Sequence, residues 1–221
     1  MAPFFQLLLA FFIFVGVQLL FAPMIYPLVG AWLLPLTLLV TAVLLMFQLN
    51  WSRARFFASQ TIGRDILTGM GAFLPAYALT WLLSSLIGYL VKGYWGEYES
   101  EQAAVEHLRA LKSHPALYYT TALLIACVVP WIEEVLFRGY MQQFFTRFLG
   151  QPGLYLTAFI FAALHYASSQ GFQNIELLIT LLPLALILGA LTAWRGNLWP
   201  SLALHMTFNT VSVILLLLGI A

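Results

Sequence analysis

Charge is what this chain has least of. Of 221 residues, 8% are Asp, Glu, Lys or Arg and 62% are hydrophobic, where a soluble domain carries about 25% charged residues. That balance excludes a soluble globular fold and makes the chain a polytopic membrane protein. A net charge of +1 gives no basis for a nucleic-acid partner. There is one cysteine, Cys127, so an intrachain disulfide and a cysteine-built metal cage are both excluded; within its apolar run it reads as a small core residue. There is one aspartate, Asp65, so a protease using two intramembrane aspartates is excluded. No His-Glu-x-x-His sequence occurs, which removes the zinc proteases built on it. Ser168-Ser169 near His165 lacks the glycine-flanked setting of an intramembrane serine nucleophile.

What is present is a series of long apolar runs. A spanning helix takes about 20 apolar residues. By that ruler about seven spans are expected, near 4–22, 25–48, 66–91, from Pro115 onward, and near 154–167, 174–193 and 199–220. The expectation is an all-α transmembrane bundle of about seven to eight helices, with residues 1–114 forming N-terminal helices and a polar loop and 115–221 forming a second, helical core. No basic residue precedes the first apolar run, so it is expected to be a retained span and not a cleaved signal. Residues 92–115 are the longest polar stretch, and the spacing of Val105, Leu108 and Leu111 predicts a surface helix over Ser100 to Lys112. Pro130 is expected to bend the fourth span. Met141 to Leu149 is expected to extend it along the interface. Asn197 is expected to cap the last helix, with Pro200 in its first turn.

Basic residues orient the bundle. Arg53, Arg55, Arg64, Arg138, Arg147 and Arg195 fall on one set of connections, and Lys92, Arg109 and Lys112 on the other, in a loop shared with four glutamates. The first set is expected to be cytoplasmic. The chain then reads as a multi-pass protein of the cell (inner) membrane, N-terminus inside, residues 92–115 outside.

Against this apolar ground the second half carries three polar groupings: Glu133-Glu134 with Arg138; Phe161 and His165; His205 and Asn209. Ionised groups within spans mark function by default, because each costs about 2.5–3.5 kcal/mol to insert. Glu134 and Arg138, four apart, share a helix face and can pair. Glu133 is turned about 100° away and is expected to face a cavity. His205 and Asn209 point the same way. Converged with His165, these groups supply a carboxylate base, an imidazole relay and hydrogen-bond donors, the requirements of water-driven amide hydrolysis. Each grouping alone is also explained as interhelical glue. Two chemistries stay open: a glutamate-based site with no cofactor, and a zinc site built from Glu133, His165 and His205. A non-catalytic membrane immunity or scaffold protein is the rival from another class. A proton-coupled transporter is weaker, because its ionisable residues should cross both leaflets.

The Glu-Glu-x-x-x-Arg at Glu133, Glu134 and Arg138, the Phe-x-x-x-His at Phe161 and His165, and the His-x-x-x-Asn at His205 and Asn209 resemble the CPBP family: type II CAAX prenyl endopeptidases and their prokaryotic bacteriocin-processing or bacteriocin-immunity (Abi) relatives. The resemblance runs over roughly residues 115–215 and implies an intramembrane glutamic protease. By the same resemblance Glu133 and His165 would activate water, His205 and Asn209 would form the oxyanion hole, and Glu134 and Arg138 would support the site. The expected partners are the bilayer and a membrane-embedded or lipidated peptide.

Overall fold

A computed structural model describes residues 2–52, 55–95, 103–166 and 173–219, and every regular element among them is helical. Arg53, the glutamates at 97, 99 and 101, and Ser168-Ser169 lie outside the described residues.

The chain begins with α1 (Ala2–Gly16), a π-helical turn (Val17–Phe21) and α2 (Ala22–Val29). It reverses at Gly30, whose φ of +49° suits a residue without Cβ. After the 3-10 turn Gly30–Trp32, α3 (Leu33–Ser52) runs back. The second span therefore starts at Leu33, later than the expected residue 25, because the apolar run continues through a turn that hydropathy does not register. Gln48 docks α3 on α1 by donating Nε2 to the Gln6 carbonyl at 2.6 Å; in lipid a polar side chain needs such a partner.

Next come α4 (Ile62–Trp95) and α5 (Ala103–Ala110). The latter is the expected surface helix, and its Leu108, with Leu111 just beyond it, is buried with Leu117, Val213 and Leu216. The fourth span is continuous from Pro115 to Leu149 but changes register twice. It comprises α6 (Pro115–Leu123), a π segment (Leu124–Val128), α7 (Val129–Glu133), a second π segment (Glu134–Met141) and α8 (Gln142–Leu149). The first π segment ends two residues ahead of Pro130, where a bend was expected. Then follow α9 (Pro152–Ala163), α10 (Gln173–Arg195) and α11 (Trp199–Leu217).

Among the described residues, six helices are long and apolar enough to cross a membrane. The expected fifth span, 154–167, is the exception. Its helix α9 has 12 residues, about 18 Å of rise against a hydrocarbon core of about 30 Å. His165 sits in the turn that ends it, so a residue expected near the end of a full span lies just past the tip of a short helix.

α11 packs against α4, α10, the first π segment and α7, and its start is held by a polar latch. Leu198 N–H donates to the Phe56 carbonyl and Trp199 Nε1 to the Phe57 carbonyl, both at 2.9 Å. Asn197 Oδ1 accepts from Trp199 N–H at 3.0 Å, the capping role expected of it, and its Nδ2 donates to the fully buried Asp65 at 3.1 Å. Asp65 also pairs with Arg195 and accepts from Ser59.

Close approach of α4 to α11 depends on Gly69. A Cβ there would stand 2.1 Å from the Pro200 carbonyl oxygen and 2.9 Å from Ala203 Cβ, so the helices meet through the absence of a side chain. Gly69→Ala is expected to destabilise the fold by about 1–3 kcal/mol through overpacking, read as a lowered melting temperature in detergent.

Candidate active site

The fourth span carries the carboxylates. Glu133 closes α7 and Glu134 opens the second π segment, a register that recurs at functional sites. Glu134 is fully buried and Arg138 is 1% exposed. Arg138 Nη1 lies 3.2 Å from Glu134 Oε1 as the expected ion pair, although not in hydrogen-bond alignment, and Glu134 Oε2 has no hydrogen-bond partner among the described residues. Arg138 Nη2 donates to the Ala185 carbonyl of α10 at 3.2 Å. Its guanidinium carbon stands 4.3 Å above the Phe161 ring centroid, a cation–π arrangement that offsets part of the desolvation. One turn on, Gln142 Nε2 donates to the Gly189 carbonyl at 3.0 Å. Two donors four residues apart on one helix thus meet two carbonyls four residues apart on the other.

His205 of α11 lies between the two glutamates. Its Nδ1 is 2.9 Å from Glu134 Oε1 and its Nε2 is 3.5 Å from Glu133 Oε2. A buried carboxylate paired with arginine accepts, so Nδ1 is the donor. Nε2 attracts Glu133 when a proton stands between them. Glu133 does not share the Glu134–Arg138 contact, and its side chain is 17% exposed where that of Glu134 is closed off. The Glu134–Arg138 pairing expected from the spacing is present. The single imidazole that both glutamates reach was not expected.

Asn209, one turn further along α11, donates Nδ2 to the Ile125 carbonyl at 3.0 Å. The reason is local. In the first π segment Val129 N–H bonds the Leu124 carbonyl, five residues back. The next donor in that register would be residue 130, which is proline and has none. Ile125 is left with an orphan carbonyl inside the bundle, and Asn209 satisfies it.

His165 arrives by a different route. Its backbone N–H bonds the Ala162 carbonyl at 3.1 Å, while its ring Nδ1 bonds the Phe161 carbonyl at 2.8 Å. The side chain thereby caps the end of α9. A carbonyl only accepts, so Nδ1 is the donor and Nε2 of the neutral ring keeps its lone pair. His165 stacks on Phe161 with centroids 4.8 Å apart, and Phe161 stands 6.0 Å from the His205 ring.

The structure thus gathers Glu133, Glu134, Arg138 and His205 into one contact cluster, sets Asn209 a turn away, and joins His165 to it through the Phe161 ring. Among the described residues no three His, Cys, Asp or Glu side chains form a metal-holding group; Glu133 and His205 converge, while His165 is turned onto its own helix. The carbonyls of Ile125 and Ala185 escaped the sequence reading. Pro130, five residues past Ile125, was the available signal for the first. Glu176 also escaped it: a buried acid on α10 that accepts from Ser84 of α4.

Residues 115–211 match the family model described as type II CAAX prenyl endopeptidase Rce1-like. Over that segment the chain is similar to the Rce1-like family. The matched stretch opens at the first residue of the fourth span and takes in all six of the polar residues above together with Phe161. With the six apolar helices, that similarity supports an integral, multi-pass membrane endopeptidase. No curated protein and no solved structure matches the chain.

The Pro130–Asn209 relation is testable within the matched segment. Asn209→Ala is expected to cost about 1 kcal/mol or more by orphaning the Ile125 carbonyl. In a Pro130→Ala background the restored N–H can take that carbonyl, and the cost should shrink. Melting temperatures of the two single variants and the double variant give the coupling; strict additivity would disprove the relation.

Proposed function

We propose that the chain is a glutamic-type intramembrane endopeptidase that uses Glu133 as the base for water. The observation that carries this reading is the unequal environment of the two adjacent acids. Glu134 is sealed against Arg138 and His205, whereas Glu133 touches the same imidazole and keeps part of its side chain exposed. A sealed, ion-paired carboxylate orients its neighbours; an open one can receive a water proton.

In the proposed reaction Glu133 takes a proton from water as the water oxygen bonds to the peptide carbonyl carbon. His165, whose Nε2 is available, shares in holding that proton. The carbonyl oxygen becomes an oxyanion. When His205 Nε2 carries a proton it is a donor toward that oxyanion, its far nitrogen fixed on Glu134, and the second N–H of the Asn209 amide, beyond the one given to Ile125, is the other donor. Collapse breaks the C–N bond, and the proton passes to the leaving amine. Glu134 and Arg138 set the position of His205.

The proposed substrate is a membrane-associated peptide of the prenylated CAAX type or a bacteriocin-like peptide. The proposed orientation places the N-terminus and the end of the bundle bearing Arg55, Arg64, Arg147 and Arg195 in the cytoplasm. His205 lies six residues into α11 from that end, about 9 Å, which sets the site in the inner half of the membrane. The reading assigns no resident metal, since among the described residues Glu133, His165 and His205 do not converge as a three-ligand group.

Glu133→Gln nearly preserves shape and removes the base. It is expected to lower the cleavage rate at least about a hundredfold with little change in melting temperature, measured by mass spectrometry of products from prenylated and unmodified membrane peptides. Full retention of activity sinks the proposal. Glu134→Gln is expected to behave differently, destabilising the fold by about 3–5 kcal/mol because Arg138 is left buried without its counter-charge. Treatment with strong chelators is expected to leave the cleavage rate unchanged; loss restored by zinc would return the site to metal chemistry.

A further inference from the structure

At the end of the bundle that carries the α11 latch, a pocket of about 360 Å³ opens between the start of α1, the turn after α3 and α8. Gln6, Arg55, Tyr140, Gln143, Phe144 and Arg147 are in its lining, which includes no acidic side chain. Arg55 and Arg147 are exposed, and neither has a hydrogen-bond or ion-pair partner among the described residues. Every other described arginine near this end except Arg64 is engaged: Arg138 on Glu134 and Arg195 on Asp65. Two guanidinium forks and two amide side chains converge on one concavity, with no counter-ion supplied by the protein.

We infer that this pocket binds the phosphate of an anionic phospholipid headgroup. Arginine presents N–H pairs that match phosphate oxygens two at a time, and basic pockets between spanning helices at the membrane surface take such headgroups. The walls favour a lipid over a soluble phosphate. Phe144 lines the pocket and stacks on Phe4 at 5.6 Å and on Phe148 at 5.0 Å. Phe4, Phe148 and Leu149 are exposed beside it, an apolar continuation for acyl chains that a free ion would not use. The size lies within the range of pockets that hold small ligands. The site is separate from the Glu133–His205 cluster and does not depend on the proposed chemistry there. The bound lipid would tie together α1, the residue 55 turn and the span that bears the glutamates, and so stabilise the fold.

The test uses the full chain in nanodiscs of phosphatidylcholine with or without phosphatidylglycerol, with retained lipid counted by native mass spectrometry. Wild type is expected to retain phosphatidylglycerol over phosphatidylcholine and to melt higher when it is present. The Arg55→Gln/Arg147→Gln variant should retain it roughly thirty-fold less and lose the shift in melting temperature. Its melting temperature in phosphatidylcholine alone should match wild type, both side chains being exposed. Arg55→Lys/Arg147→Lys, which keeps charge without the fork, should fall between. Equal retention by wild type and the glutamine variant overturns the inference. So does release of the lipid by inorganic phosphate, which would make this a soluble-ion site, or by a peptide bearing a free C-terminal carboxylate, which would make it a substrate subsite.

Discussion

The structure turns on one charge. Arg138 is buried among apolar side chains in a spanning helix, where a bare guanidinium is unstable. Four groups answer it or its counter-ion: Glu134 one turn back, the Ala185 carbonyl of α10, the Phe161 ring of α9, and His205 of α11 behind Glu134. Each comes from a different helix, so neutralising the arginine also specifies how α9, α10 and α11 sit around the fourth span. Interhelical contacts in lipid gain little from the hydrophobic effect and rely on packing and on such polar pairs. The ion pair need not add much net stability, because a buried pair roughly cancels its own desolvation. Its contribution is geometric, since only one arrangement of the helices leaves no bare charge.

The two π segments act in the same direction. A helix that widens where it passes its neighbours presents side chains and carbonyls that an ideal α-helix would hide. The first segment, next to Pro130, exposes a carbonyl that draws Asn209 across from α11. The second begins at Glu134 and keeps the residues through Met141 buried. Together they set α11 at two points a turn apart, His205 on the glutamates and Asn209 on Ile125. The residue pair proposed to bind the oxyanion is therefore also the pair that seats its helix.

Polar letters were legible in the sequence because the rest of the chain is nearly without them. Glu133, Glu134, Arg138, His205 and Asn209 stand out against apolar runs, and four-residue spacing assigns two of the pairs to helix faces. The helical bundle was legible for the same reason. The short reach of α9 was not. Hydropathy scores an apolar window and cannot see that the helix stops at Ala163, where His165 turns back to cap it. The bond from Asn209 to Ile125 was hidden because it is made by a backbone atom, which carries no letter; only the proline five residues on betrays it. Asp65 falls just ahead of the expected third span, beside Arg64, yet it is fully buried, because its partners Arg195 and Asn197 come from the far end of the sequence.

That distance has a consequence for biogenesis. The ribosome delivers a chain N-terminus first, so Asp65, Phe56 and Phe57 are in place well before the helix they latch. The glutamate–arginine pair lies within one span and can neutralise itself as that span partitions into the bilayer. The imidazole and amide of α11 arrive after every helix they contact. Until then Glu133 has no imidazole beside it and Ile125 no donor, and the latch holds no helix. A nascent chain therefore passes through the translocon without its assembled cluster, which forms only when α11 docks.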